Sequence, residues 1–329
     1  MKTRFASGLI LLSQGVFAQA PGLAPAPGVT QPANFANIEI HALPVQGNVY
    51  MLVGAGGNIT VQAGADGVLL VDTEYAELAD KILAAIKKIS DQPLRYIINT
   101  HYHPDHVGGN EPLRKAGKTI AGGNVVGDLG AEATEGAQVI AHDNVMKRMS
   151  APTGKQAPTP VGAWPTDTFV EDEKKMWFNG EGIQILHIPN AHTDGDSIVF
   201  FRRSDVIATG DLFTTTDYPV IDAAAGGTIN GFLDGVNRIL DMVITIYGQD
   251  GGTLLVPGHG RLCDAGDLIN YREMVTIIRD RVQDMIKKGM TLEQVKAARP
   301  TRDYDPLYGS NPRWTPDMFV EAVYKTLKK

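Results

Sequence analysis

The period of hydrophobic and polar positions changes repeatedly along the chain, and each change marks an element. Between residues 38 and 73 the runs IEIHAL, VYMLVG, NITVQA and GVLLVDT are separated by Gly-containing turns, which predicts a meander of strands. The segment YAELADKILAAIKKIS then places Leu78, Ile82, Ile86 and Ile89 on one face at helical spacing. LRYIINT follows as a buried strand. From residue 111 to 167 the pattern is irregular: a short helix is predicted over 142–149, and APTGKQAPTPVGAWP reads as a long loop of the kind that often carries function. Strands resume with MWFNG, IQILHI, SIVFFR and VIATG. A helix then carries Ile229, Phe232, Leu233, Val236 and Leu240, and TLLVPGHG is a strand running into a loop. From Asp267 the pattern is helical to the end. Strands that dominate early and recur after helices predict sheets with helices packed outside them, and no fixed-period repeat is present.

The start of the chain lies outside this pattern. MKTRFASGLILLSQGVFAQA has a short basic region, an apolar stretch and an Ala18-Gln19-Ala20 ending, so residues 1–20 read as a secretory signal peptide. Residues 21–37, rich in Pro, Ala and Gly, read as a flexible spacer. The protein is therefore expected to be exported, periplasmic or secreted, with no membrane segment in its mature form. With 329 residues, 43% hydrophobic and 20% charged, the chain has ample material for a large core. A net charge of −7 without a long Lys/Arg cluster argues against nucleic-acid partners and leaves a small-molecule substrate as the expectation. Cys263 is the only cysteine, which excludes an intrachain disulfide; it reads as an inert core filler.

Chemistry concentrates where apolar strands end. In NTHYHPDHVGGN, His101, His103 and His106 fall within six positions, with Asp105 between them, although the whole chain has only eight histidines. IQILHI runs into PNAHTDGDS, with His192; VIATG runs into Asp211; TLLVPG runs into His259. A rigid sheet fixes the direction of side chains at strand ends. His41, His142 and His187 read as ordinary solvated or packed residues. The other five histidines and two aspartates would repel or go unsatisfied if gathered without a cation, at a cost of several kcal/mol. Seven such ligands are too many for one tetrahedral zinc and suit two. His and carboxylate without thiolate suit Zn2+, and iron or manganese also accept this mixture. His101 and His103 can face one ion while Tyr102 points away, Asp105 and His106 can reach a second, and Gly108 and Gly109 are expected to let the backbone turn tightly.

HYHPDH matches the HxHxDH motif of the metallo-β-lactamase superfamily, and AHTDGDS, TGDLF and VPGHG resemble its later motifs in order and spacing. VDT at residues 71–73 looks like its first motif. The resemblance spans residues 38–262. It implies an α/β (α+β) fold, a four-layer αββα sandwich, with residues 263–329 as a C-terminal helical extension packed on the same domain. Carried over, His101, His103 and His192 would hold one metal, Asp105, His106 and His259 the second, and Asp211 would bridge them. Asp72 would orient a ligand from behind. Zinc β-lactamases usually have Cys or Ser where Asp211 stands, and many of the first subclass have Lys where Thr214 stands. Hydroxyacylglutathione hydrolases and quorum-quenching lactonases have Asp with this motif.

What the resemblance implies is a hydrolase with two zinc ions sharing a hydroxide, which attacks an ester, lactone, thioester or lactam carbonyl. Asp105 would serve catalysis as well as binding, by orienting that hydroxide or passing a proton. A true β-lactamase is the alternative enzyme, and a metal-binding protein that keeps the fold without turnover is the non-enzyme alternative. Trp164 and Tyr218, together with the loops at residues 45–50 and 54–58, are the candidate substrate contacts. Oligomeric state is not legible.

Overall fold

The computed structural model describes residues 32, 34–119, 136–151, 159–243 and 252–328. The region read as a signal peptide and most of the spacer lie outside these residues. The end of that spacer, Phe35–Asn37, forms a short 3-10 turn, and the Phe35 ring packs edge-on against Tyr75 at 5.3 Å.

The expected meander is present as β1 (His41–Gln46), β2 (Val49–Val53), β3 (Ile59–Gly64) and β4 (Gly67–Val71), each pair antiparallel. The helix predicted next is α1 (Ala79–Ile89), whose buried positions include Ile82 and Ile86. It crosses over to β5 (Leu94–Ile98), parallel to β4. Two short helices follow, α2 (Pro104–Val107) and α3 (Asn110–Ala116), then β6 (Gln138–His142), α4 (Asp143–Ser150) and β7 (Asp167–Phe169). β1 to β7 form one sheet in sequence order. The second sheet has the order β12-β11-β10-β9-β8, from β8 (Glu173–Phe178), β9 (Glu181–His187), β10 (Ser197–Phe201), β11 (Val206–Thr214) and β12 (Leu254–His259).

Period-2 strands with both faces apolar require cover on both sides. Leu69, Val71, Ile98, Ile185, Val199 and Val256 fill the space between the sheets. Val61, Leu70 and Ile97 of the first sheet pack against Ile82 and Ile86 of α1. The outer face of the second sheet is covered by α5 (Ile229–Met242), α6 (Ala265–Lys287), α7 (Leu292–Ala297) and α9 (Pro316–Leu327), with α8 (Asp305–Tyr308) between the last two. This is the four-layer sandwich with C-terminal helices. Those helices share a continuous apolar cluster with Ile207 and Leu212 of β11, so the extension backs the strand that delivers Asp211. No helix among the described residues is long and apolar enough to cross a membrane.

Strand direction positions the site. β4, β5 and β6 are parallel to one another, and β9 and β12 both run with β11, so their carboxyl ends meet at one edge of the sandwich. There Thr100 O accepts from Ser197 N at 2.7 Å, joining the two sheets. The loop at residues 45–50 belongs to the opposite edge, where Gly47 abuts Ser204 at the β10–β11 turn. It is therefore not a substrate contact.

Candidate metal centre

All seven predicted ligands converge at this edge. His101, His103, His192 and Asp211 each place a ligand atom within 4.8 Å of the others, and Asp105, His106 and His259 form a second such group. Asp211 joins the groups. Its Oδ2 lies 3.8 Å from Nε2 of both His101 and His192, while its Oδ1 lies 3.1 Å from His106 Nε2 and 3.5 Å from His259 Nε2. The β11–β12 register slips between Gly210 and Thr214, an irregularity of the kind that re-aims a side chain beside a site.

Four of the five imidazoles are held by their far nitrogen. Asp72 accepts from Thr100 N and Thr100 Oγ1 and lies 2.8 Å from His106 Nδ1. Thr100 Oγ1, committed as a donor to Asp72, accepts from His101 Nδ1. Asp196 sits 3.2 Å from His192 Nδ1, and Asp222 sits 3.2 Å from His103 Nε2. Such partners fix ring orientation and leave the opposite nitrogens turned toward the centre. Asp72 also lies near His101 and His106 as a possible ligand group, but these hydrogen bonds occupy its oxygens. It supports the site from behind, on a strained turn where Asp72 and Glu74 both have positive φ, +65° and +52°.

The donor set fits cations. Nε2 of His101 and His192, both Asp105 carboxylate oxygens and Asp211 Oδ1 are buried without a hydrogen-bond partner. Such groups cost about 1–3 kcal/mol each, more when charged, unless something occupies the space between them. Nε2 of His106 and His259 also face each other at 3.3 Å. Burial disfavours charge throughout, yet the carboxylates of Asp211, Asp105 and Asp72 outweigh it and hold His106 well above the usual imidazole range. Burial is likewise overcome at Asp211, which His106, His259 and His101 hold well below the usual carboxylate range. The cavity thus attracts positive charge. His259, with 26% of its side chain exposed, marks the side open to solvent.

Some expectations need correction. Tyr218 is not a substrate contact: it is fully buried, stacks on Phe319 at 5.0 Å, and donates to Thr301 O and Asp305. Trp164 packs beside Val145 and Met149, and its indole N–H is spent on Thr159 O. Gly108 and Gly109 have ordinary helical φ; they are needed for close packing, since a Cβ at Gly109 would lie 2.2 Å from Thr73 O. Tyr102 does turn away from the centre, donating to Asp222. Cys263 is a buried filler, its thiol pushed up to about 12 chiefly by burial.

Sequence reasoning missed Asp196 and Asp222. Asp196 had a signal, four residues after His192. Asp222 had none, being 119 residues from His103. Asp222 also accepts from Ala224 N and Ala225 N through Oδ1. Asp222→Asn keeps that turn but replaces the oxygen facing His103. Metal affinity is expected to fall about 10–100-fold, read by competition with a chromophoric chelator. Unchanged affinity would reduce Asp222 to a turn residue.

A sequence profile described as the Metallo-beta-lactamase superfamily matches residues 44–259. The chain belongs to this superfamily. It is similar to the linear primary-alkylsulfatase of Pseudomonas sp. (strain ATCC 19151), 24% identical over 276 residues, or 73% of this chain and 50% of that one. It is also similar to the metallo-beta-lactamase type 2 of Bacillus cereus, 21% identical over 210 residues, 64% of this chain and 69% of that one. The chain thus spans half the length of the alkylsulfatase it matches. Among solved structures, a stereoselective inverting sec-alkylsulfatase from Pseudomonas sp. superposes with a TM-score of 0.61 at 17% identity, covering 93% of this chain and 58% of that one. The DIM-1 metallo-beta-lactamase does so with 0.52 at 16%, covering 73% and 99%. Superfamily members of both kinds are hydrolases.

Proposed function

We propose that this superfamily hydrolase is binuclear, zinc-dependent, and cleaves an acyl bond (ester, lactone, thioester or lactam) of a small molecule. The observation that carries the reading is the division of Asp211, one oxygen toward His101 and His192 and the other toward His106 and His259. In this reading His101, His103 and His192 hold the first ion and Asp105, His106 and His259 the second. Zinc ions so held would lower the pKa of a shared water toward neutrality and polarise the substrate's carbonyl oxygen. The chain's own residues do the rest. Asp72, Asp196 and Asp222 fix the imidazoles before substrate arrives, so little reorganisation is needed. Asp105 has two buried oxygens free of hydrogen bonds, which suits it to orient the attacking water and accept its proton. Substrate enters on the open His259 side.

A second reading, hydrolysis of a sulfate ester, is favoured by the alkylsulfatase similarity, which extends over 73% of the chain. The discriminating experiment is a panel of lactones, thioesters, β-lactams, alkyl sulfates and phosphodiesters, each with and without chelator, alongside metal quantification. Chelator-sensitive turnover of an acyl substrate is expected. Turnover confined to alkyl sulfates would replace the acyl reading, and turnover of β-lactams alone would make the chain a β-lactamase. Two metals with no turnover on any substrate would favour a binding protein.

A further inference from the structure

The two halves of the centre are not held alike. The Asp105–His106–His259 half is covered by residues 54–58, the connection from β2 to β3, and that connection touches all three side chains or their flanks. Gly57 N donates to Asp105 O at 3.0 Å. The Gly57 backbone lies directly on the His106 ring: a Cβ there would stand 2.2 Å from Cε1 and 2.6 Å from Nε2. Asn58 donates from its main chain to Gly258 O and from its side chain to Pro257 O and Gly260 O, bracketing His259.

A short, Gly-rich connection has little intrinsic preference for one conformation. What fixes this one is Glu74. Its Oε2 accepts from Ala55 N at 3.0 Å and Gly56 N at 3.1 Å. Glu74 is fully buried, sits at positive φ, and leaves Oε1 buried without a partner. Burying a carboxylate for two amide bonds is costly, so its place calls for a compensating role. The main chain around it grips the other side of the same histidine: Thr73 N donates to His106 O, and Glu74 O accepts from Gly109 N. One turn therefore holds His106 from below by its backbone and from above through the glycine connection.

We infer that Glu74 is a positioning residue for the Asp105–His106–His259 half of the centre, acting through residues 54–58. The inference rests on the binuclear reading above. Its test is stepwise Zn2+ binding by the full chain, measured by chelator competition, with the Co2+ absorption spectrum as a second readout. Wild type is expected to bind two equivalents. Glu74→Ala and Glu74→Asp, the latter too short to reach both amides, are expected to keep the tighter equivalent and weaken the other about 10–100-fold. Glu74→Gln, which still presents an acceptor to both amides, is expected to restore binding. Should the alanine variant fail to fold, the aspartate and glutamine variants carry the comparison. Wild-type affinity for both equivalents in Glu74→Asp, with only the melting temperature lowered, would overturn the inference. A wild type that binds one equivalent would instead overturn the binuclear reading. Hydrogen exchange at Ala55 and Gly56 in metal-free protein would then decide the clamp separately. Protection lost in Glu74→Asp and kept in Glu74→Gln supports it, and equal protection in both removes it.

Discussion

Asp211→Ala is expected to bind one metal equivalent instead of two and to lose turnover by on the order of 10²-fold or more. Two unit charges 4 Å apart interact by about 4 kcal/mol at an effective dielectric near 20, and two dications by about four times that. A pair of neighbouring dications therefore needs an anion between them, and Asp211 is the side chain whose oxygens face both ligand groups. Without it the His101, His103 and His192 group still offers three buried imidazoles, enough for one tetrahedral ion with an open position. The other group, with His259 partly open to solvent, is the one expected to empty. The variant should fold, because the apolar cluster behind β11 is built from Ile207, Leu212 and the residues of the covering helices, none of which the substitution changes. Elemental analysis and turnover on the best substrate of the panel check the prediction together. Two equivalents with an unimpaired rate would remove Asp211 as the bridge.

The ligands were legible because each accompanies an apolar strand run: His101 and His192 lie beyond the ends of β5 and β9, His259 closes β12, and Asp211 follows the run VIATG, although β11 itself continues through it to Thr214. Parallel strands bring such positions to one edge whatever the intervening sequence does. His101, His192, Asp211 and His259 are read in this way without knowing which strands are neighbours. The supports are legible only when local. Thr100 and Asp196 lie one and four residues from the histidines they hold, whereas Asp222 reaches His103 from beyond β10 and β11, and Glu74 reaches His106 through a third segment. Neither has a spacing that separates it from other acids. The surroundings of the two aromatic candidates are likewise set by partners that sequence spacing does not reveal. Tyr218 follows the strand that carries Asp211 closely, yet the helices after residue 263 cover it, and sequence gives no register between those helices and β11. Trp164 closes the stretch read as a long loop, most of which, residues 152–158, lies outside the described residues; its own turn at residues 161–163 folds it onto α4.

Withdrawal of metal is expected to lower the melting temperature by about 10 °C or more, with recovery on adding back Zn2+. A ligand at one hundred times its dissociation constant stabilises the folded state by about 2.7 kcal/mol per site. Two such sites contribute about 5 kcal/mol, and each kcal/mol moves the midpoint of a domain of this size class by about 2–4 °C. The effect is carried by the native state, because the donors come from residues 101 to 259 and meet only when both sheets are formed. In metal-free protein the exposed cost falls on named atoms. His101 Nε2, His192 Nε2 and the Asp105 carboxylate remain buried without partners, and Nε2 of His106 and His259 stay 3.3 Å apart. Protonation of His106, which Asp211, Asp105 and Asp72 favour, relieves part of that cost but supplies one charge where two dications supply four. The metal-free chain should therefore remain folded and be measurably weaker, so a melting curve with and without chelator, on protein shown by elemental analysis to be stripped, decides the matter. Identical midpoints would mean that the seven side chains are satisfied without cations, and the hydrolase reading would lose its physical basis.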